Sequence, residues 1–218
     1  LLSASFAAIL LTGCSTTECP HCKSGKAEAP SVPSTAKPAA ATSGARSLFD
    51  GKTLSGWKDS NFAGGGETKV EPNYKGQGPV ILIEAGQSLS GITFTNPVPK
   101  QNFEVNLEAL KVQGNDFFIG LTFPVAEAHA TLVLGGWGGA TTGISSIDGL
   151  DASENDTTKF LGYEKGKWFR IRMKVTPGKL ETWINDDKVV DQDIKDRRIS
   201  MRFGEIRSEE HTSELQSH

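Results

Sequence analysis

From Val80 onward the chain is organised as short apolar or alternating runs separated by turn residues. Val80-Ile81-Leu82-Ile83-Glu84 is a short apolar run, and Ile92-Thr93-Phe94-Thr95 alternates. Phe103-Glu104-Val105-Asn106-Leu107-Glu108 alternates strictly, as a half-buried strand does, because successive side chains of a strand point to opposite faces. The alternation slips at Ala109-Leu110, which predicts a bulge or a strand end there. Phe117 to Phe123 is almost wholly apolar and reads as a central strand, and Ala130 to Leu134 as another. Phe169-Arg170-Ile171-Arg172-Met173-Lys174-Val175 alternates with basic residues outward. Pro177-Gly178 marks a turn before Leu180-Glu181-Thr182-Trp183-Ile184. Asn185-Asp186-Asp187 marks the next, before Lys188-Val189-Val190-Asp191. No long helical period and no internal repeat interrupts this pattern. Many short strands with turn signals between them predict an all-β antiparallel sandwich or jelly roll.

The stretch before these strands reads differently. Leu1 to Leu11 is apolar and small and leads into Thr12-Gly13-Cys14. It is too short for a stable membrane-spanning helix, which takes about 20 residues, and reads as residues 1–13 of a secretory signal whose charged start is missing. Leu11-Thr12-Gly13-Cys14 resembles a lipoprotein lipobox. That resemblance implies cleavage before Cys14, lipidation of its thiol, and a protein exported and anchored at a bacterial cell envelope; an ordinary signal peptide with a chance cysteine is the alternative. Residues 14–46 are rich in Ala, Pro, Ser, Thr and Lys and lack aromatics, so they cannot bury enough apolar surface to fold and are expected to act as a tether. Cys19-Pro20-His21-Cys22 lies in this tether, with no second Cys pair to close a zinc site. The residues after Cys22 contain no cysteine, so the folded domain does not depend on disulfides.

A domain spanning 47–206 then begins with Phe49-Asp50-Gly51-Lys52-Thr53-Leu54-Ser55-Gly56-Trp57. Asp50-Gly51 is a turn signal, and Leu54 and Trp57 supply apolar anchors. This opening resembles that of the bacterial 3-keto-disaccharide hydrolase family. Gly166-Lys167-Trp168-Phe169-Arg170-Ile171 and Trp183-Ile184-Asn185-Asp186-Asp187-Lys188-Val189-Val190-Asp191 resemble the family's late hairpin. The resemblance implies a concanavalin-like sandwich and cleavage of disaccharides or glycosides whose glucose C3 is already a ketone. One departure stands out. Many members carry Glu-x-Gln-x-x-Asp on a middle strand, whereas Gly143-Ile144-Ser145-Ser146-Ile147-Asp148 keeps only the Asp. At the far end, residues 207–218 resemble a sequencing-library adapter read in frame. That reading predicts a domain lacking its last strand or strands, which would leave a neighbour's backbone groups unpaired.

The net charge of −3 lacks the basic footprint that nucleic acid binding needs. The expected partners are a carbohydrate ligand and, through Cys14, a membrane. Asp148, Asp151, Glu154 and Asp156 fall in one loop-like stretch, of the kind that supplies catalytic carboxylates or holds a hard divalent cation such as Ca²⁺ through oxygen ligands. Asp148, Asp151, Glu154 and Asp116 are the candidate catalytic groups; a solvated acidic loop is the alternative. Trp137, bare between glycines in Gly135-Gly136-Trp137-Gly138-Gly139, is a candidate platform for the apolar face of a sugar, or else a Trp wedged at a bulge. Asn155 and His129 complete the candidate substrate-binding set. A cofactor is not specified by these residues beyond the divalent cation. Three functions remain open: a hydrolase or lyase acting on 3-keto sugars, a non-catalytic glycan-binding module, and a structural surface domain.

Overall fold

The computed structural model describes residues 2–11, 45–87 and 89–200, the first of these as a backbone strand only. Cys14, the tether to residue 44 and the tail 201–218 lie outside the described residues.

The strands run β1 (Leu2–Leu11), β2 (Arg46–Ser47), β3 (Trp57–Asp59), β4 (Thr68–Glu71), β5 (Val80–Ile83) and β6 (Ile92–Phe94). They continue with β7 (Phe103–Lys111), β8 (Ile119–Val125), β9 (Ala128–Gly136), β10 (Thr141–Ser145) and β11 (Lys159–Phe160). The last are β12 (Trp168–Thr176), β13 (Lys179–Ile184) and β14 (Asp187–Asp193). The only helical segment among the described residues is a short 3₁₀ turn, Tyr74–Gly76. The large sheet orders its strands β14-β13-β12-β7-β1-β5-β4, and β2 pairs with β1. A four-stranded sheet, β11-β10-β9-β8, packs against it, and β3 pairs with β6 in a small ribbon. This is the all-β sandwich that the alternation predicts.

The core lies between the two sheets. Phe103, Leu107, Ala109, Ile171, Met173, Val175 and Leu180 come from the large sheet. Ile119, Phe123, Ala130, Leu132, Leu134 and Ile144 come from the small one, and Phe118 packs with them just before β8. Each set recurs at every second residue because one face of a strand is buried and the other is not. The slip at Ala109-Leu110 neither ends nor bulges the ladder to β12, which runs through Leu110 in register. Leu110 instead buries on the other face, beside Val80 and under Tyr74, Val112 and Trp168.

The opening motif is an anchored turn. Asp50 Oδ1 accepts the backbone N–H groups of Lys52 and Thr53, and Oδ2 accepts the Thr53 hydroxyl, each at 2.7 Å. These bonds, that from the Thr53 N–H foremost, bring the Asp50 carboxyl down to about 2. Trp57 is a packing residue: its indole N–H donates to the Leu48 carbonyl at 2.7 Å, and its ring meets Phe94 edge-on at 4.9 Å.

Leu2–Leu11, read above as part of a leader, lies in the large sheet between β5 and β7 and parallel to both. Every ladder among the described residues that does not involve β1 is antiparallel.

Candidate functional site

The core-facing residues fix which side of the four-stranded sheet looks outward. Leu132, Leu134 and Ile144 point into the core, so His129, Thr131 and Val133 of β9 and Gly143 and Ser145 of β10 lie on the outer face. Gly143 pairs with Val133 and Ser145 with Thr131.

Part of that face is sealed by the loop 146–158. A Cβ on Gly143 would stand 2.9 Å from Thr157 Oγ1 and 3.0 Å from the Ala152 carbonyl, so only glycine lets the loop lie this close. Ser145 Oγ accepts the Ala152 N–H at 3.0 Å. Asn155 is 9 % exposed. Its amide donates to the Ile144 carbonyl at 2.8 Å and the Asp151 carbonyl at 2.9 Å, while its oxygen accepts both the N–H and the hydroxyl of Thr157. Asn155, a candidate ligand for sugar, thus spends its hydrogen-bonding capacity on the loop itself. Gly143 and Ser145 are the two positions over which the loop closes.

Two acidic residues of this loop, Asp148 and Asp156, are bound to arginine. Asp148 Oδ2 accepts from Arg197 Nε at 2.5 Å, and Asp148 Oδ1 accepts the Arg198 N–H at 2.7 Å. Asp156 accepts from the other side of the same guanidinium at 2.9 Å. The Arg198 N–H, followed by Arg197, holds the Asp148 carboxyl below its usual range against the opposing effect of burial. The cation between these carboxylates is therefore a guanidinium. Among the described residues no group of three or more His, Cys, Asp or Glu is placed to hold a metal ion, so the donor set does not fit the divalent cation. Arg197 carries no sequence motif; its only signal is the basic pair Arg197-Arg198 beside Asp196, across the chain from the acidic loop.

Asp116 and Trp137, far apart in sequence, come together at one end of the same sheet. Asp116 Oδ1 accepts the N–H of Phe117 at 2.9 Å and the N–H of Gly138 at 3.1 Å, tying the loop before β8 to the turn after β9. Phe117 and Trp137 stand beside each other, ring centres 5.2 Å apart, and are 38 % and 43 % exposed. Their φ angles are +40° and +44°. Bulky side chains rarely occupy that region, and such strain persists only where surrounding contacts impose it. A side chain on Gly136 would meet the Phe117 ring at 3.2 Å, so the ring occupies the outer-face space that glycine leaves. Phe117 reads in sequence as the first residue of a buried strand; nothing in the pattern marks its left-handed backbone.

Charges gather behind this pair. Lys165 Nζ donates to Asn115 Oδ1 at 3.1 Å. Lys111, at the inward-facing end of β7, is 4 % exposed. Burial first, then Lys165, push its amine below the usual lysine range, and Asp116 opposes them.

The remaining candidates lie elsewhere. His129 is at the opposite end of β9, paired with Pro124. Asp151 and Glu154 sit on the sealing loop, where the Glu154 N–H donates to the Asp151 carbonyl at 2.9 Å. A groove of about 220 Å³ runs between Asp156, Thr157 and Lys159 on one side and Lys188 to Gln192 on the other. Its carboxylates are already paired, Asp191 with Lys179 and Lys188, and Asp156 with Arg197. A second groove, of about 330 Å³, is lined by Arg46 to Asp50, Ser55, Phe94 and Asn96.

Residues 44–218 match the model of a family described as the 3-keto-alpha-glucoside-1,2-lyase-like domain. The chain belongs to this family, whose description is that of a carbohydrate-active fold. Comparison with curated proteins gives no match, and comparison with solved structures gives none.

Proposed function

We propose that this member of the 3-keto-glucoside lyase-like family cleaves 3-keto-disaccharides or related 3-keto-glycosides, holding the sugar on the Phe117–Trp137 pair. The observation that carries the reading is this pair of exposed aromatic rings, fixed on left-handed backbone by the Asp116 carboxylate. An apolar platform with a polar group beside it suits a pyranose, whose C–H face is apolar and whose rim is hydroxylated.

The chemistry follows from the ketone. A carbonyl at C3 acidifies the C2 proton. A carboxylate, for which Asp116 is the group beside the platform, removes that proton. The electron pair left at C2 forms the C1=C2 bond as the C1–O bond breaks, and the departing oxygen takes up a proton. Water then adds its oxygen to C1 and a proton to C2, which completes a net hydrolysis. The enzyme is proposed to act at the cell envelope, exported and tethered through Cys14.

A second reading, a glycan-binding module without catalysis, is favoured by one observation. Asp116 Oδ1 already accepts the N–H groups of Phe117 and Gly138, so this carboxylate is engaged in holding the two turns together. The test is to incubate the full chain with a 3-keto-disaccharide and with its unoxidised parent and to follow released monosaccharide. Release from the keto sugar alone, lost in Asp116→Asn and Trp137→Ala, supports the enzyme. Binding of the sugar by a folded chain that releases nothing would replace it with the binding module.

A further inference from the structure

We propose that the rim of the four-stranded sheet holds a glycan chain of at least three hexose rings, lying across the strands from Trp137 to Phe160. This rests on the carbohydrate reading above and specifies its ligand as an oligosaccharide.

Phe160 is 76 % exposed, more than any other large apolar side chain among the described residues. It lies on β11, the edge strand, directly opposite Thr141, which is itself opposite Gly136. Cross-strand partners share a face, so Phe160, Thr141 and the space over Gly136 lie in one row across three strands. That space is filled by the Phe117 ring, 3.2 Å from where a Gly136 side chain would begin. Trp137 extends the row by a further 5.2 Å. Two strand steps of about 4.8 Å each separate Gly136 from Phe160. Those steps and the separation of the Phe117 and Trp137 rings give the set a span of at most about 15 Å.

Single exposed apolar residues are ordinary, but aligned ones on a shared face mark a binding surface. The rings of Trp137 and Phe117 at one end and of Phe160 at the other offer stacking positions for the two ends of a short chain, while Thr141 between them is buried, at 4 % exposure. Aromatic side chains also lose little conformational freedom on binding, which suits a platform for a flexible ligand. The row is aromatic and the Asp116 carboxylate stands at its Trp137 end, which disfavours an anionic ligand, so the glycan it fits is neutral.

The test titrates the full chain with neutral α- and β-linked glucose oligomers of two, three, four and five units, read by tryptophan fluorescence. Sedimentation is run in parallel. The expected result is affinity rising at least fivefold from two units to four for one of the linkages. Phe160→Ala should flatten that series to the disaccharide level while the thermal midpoint stays in place. Equal affinity for all lengths overturns the inference and leaves the keto-sugar reading standing. Absence of binding by any oligomer, with the 3-keto-disaccharide still cleaved, overturns it as well. Loss of both binding and cleavage overturns the two together. A concentration-dependent dimer that Phe160→Ala abolishes would assign the row to a second copy of the chain and overturn the glycan.

Discussion

The acidic loop 146–158 and the Phe117–Trp137 pair both border the outer face of the four-stranded sheet, yet they are built on opposite terms. The loop is dense in groups that do chemistry, and its main polar groups are satisfied: Asn155 bonds to Ile144, Asp151 and Thr157, and Asp148 bonds to Arg197 and Arg198. The aromatic turns are sparse, strained and open. A cluster of carboxylates in sequence is thus a poor guide to a site, because carboxylates recruit cations from their own chain. Exposed rings held at positive φ are a better one, since strain of that kind persists only where surrounding contacts impose it and it collects at functional sites.

The comparison breaks first at Asn155. Replacing it by Ala removes a donor from the Ile144 and Asp151 carbonyls and leaves the N–H and the hydroxyl of Thr157 without their acceptor beneath the loop. A loss of roughly 3 kcal/mol is expected from groups left unsatisfied in the interior, read as a fall in the denaturant midpoint at unchanged slope. A loss of a few tenths would mean that the loop is not sealed. Gly143→Val tests the same closure sterically and should cost about 1–3 kcal/mol, as overpacking does. Trp137→Ala should do the reverse. Stability should change by less than about 1 kcal/mol, as for surface sites, while release of monosaccharide from the keto sugar falls roughly tenfold, or about 1.4 kcal/mol. Equal losses in stability and activity would make the ring structural.

The smallest effect is in pH. Asp148 has a folded value below its ordinary 3.8. Its contribution to stability is therefore complete above that ordinary value and is lost as pH falls through the lower, folded one. Asp148→Asn should flatten the acid limb of the stability profile and leave the neutral region nearly unchanged, which thermal midpoints between pH 2 and pH 6 would read.

Much of the fold was legible in the chain. The alternating run from Phe103 and that from Phe169 became the paired central strands β7 and β12, and Asn185-Asp186 became the turn between β13 and β14. Asp116 and Trp137 were each visible as candidates, but not as neighbours, because the bond from the Gly138 N–H to Asp116, 22 residues apart, depends on where two turns end up. Phe117 was hidden for the opposite reason: an apolar residue at the start of an apolar run reads as core, and its outward turn comes from a backbone angle that composition does not encode.

What the sequence alone determined is period and punctuation, hence an all-β sandwich and the family to which it belongs. Those are local properties, set by which side chains alternate and where glycine and asparagine allow a turn. Only the tertiary structure decided which polar groups were already spent. Arg197 lies 49 residues from Asp148, and the loop that covers Gly143 does so because a missing Cβ leaves room for it. Hydrogen-bond satisfaction and close packing are sums over neighbours in space, and the chain lists only neighbours in order.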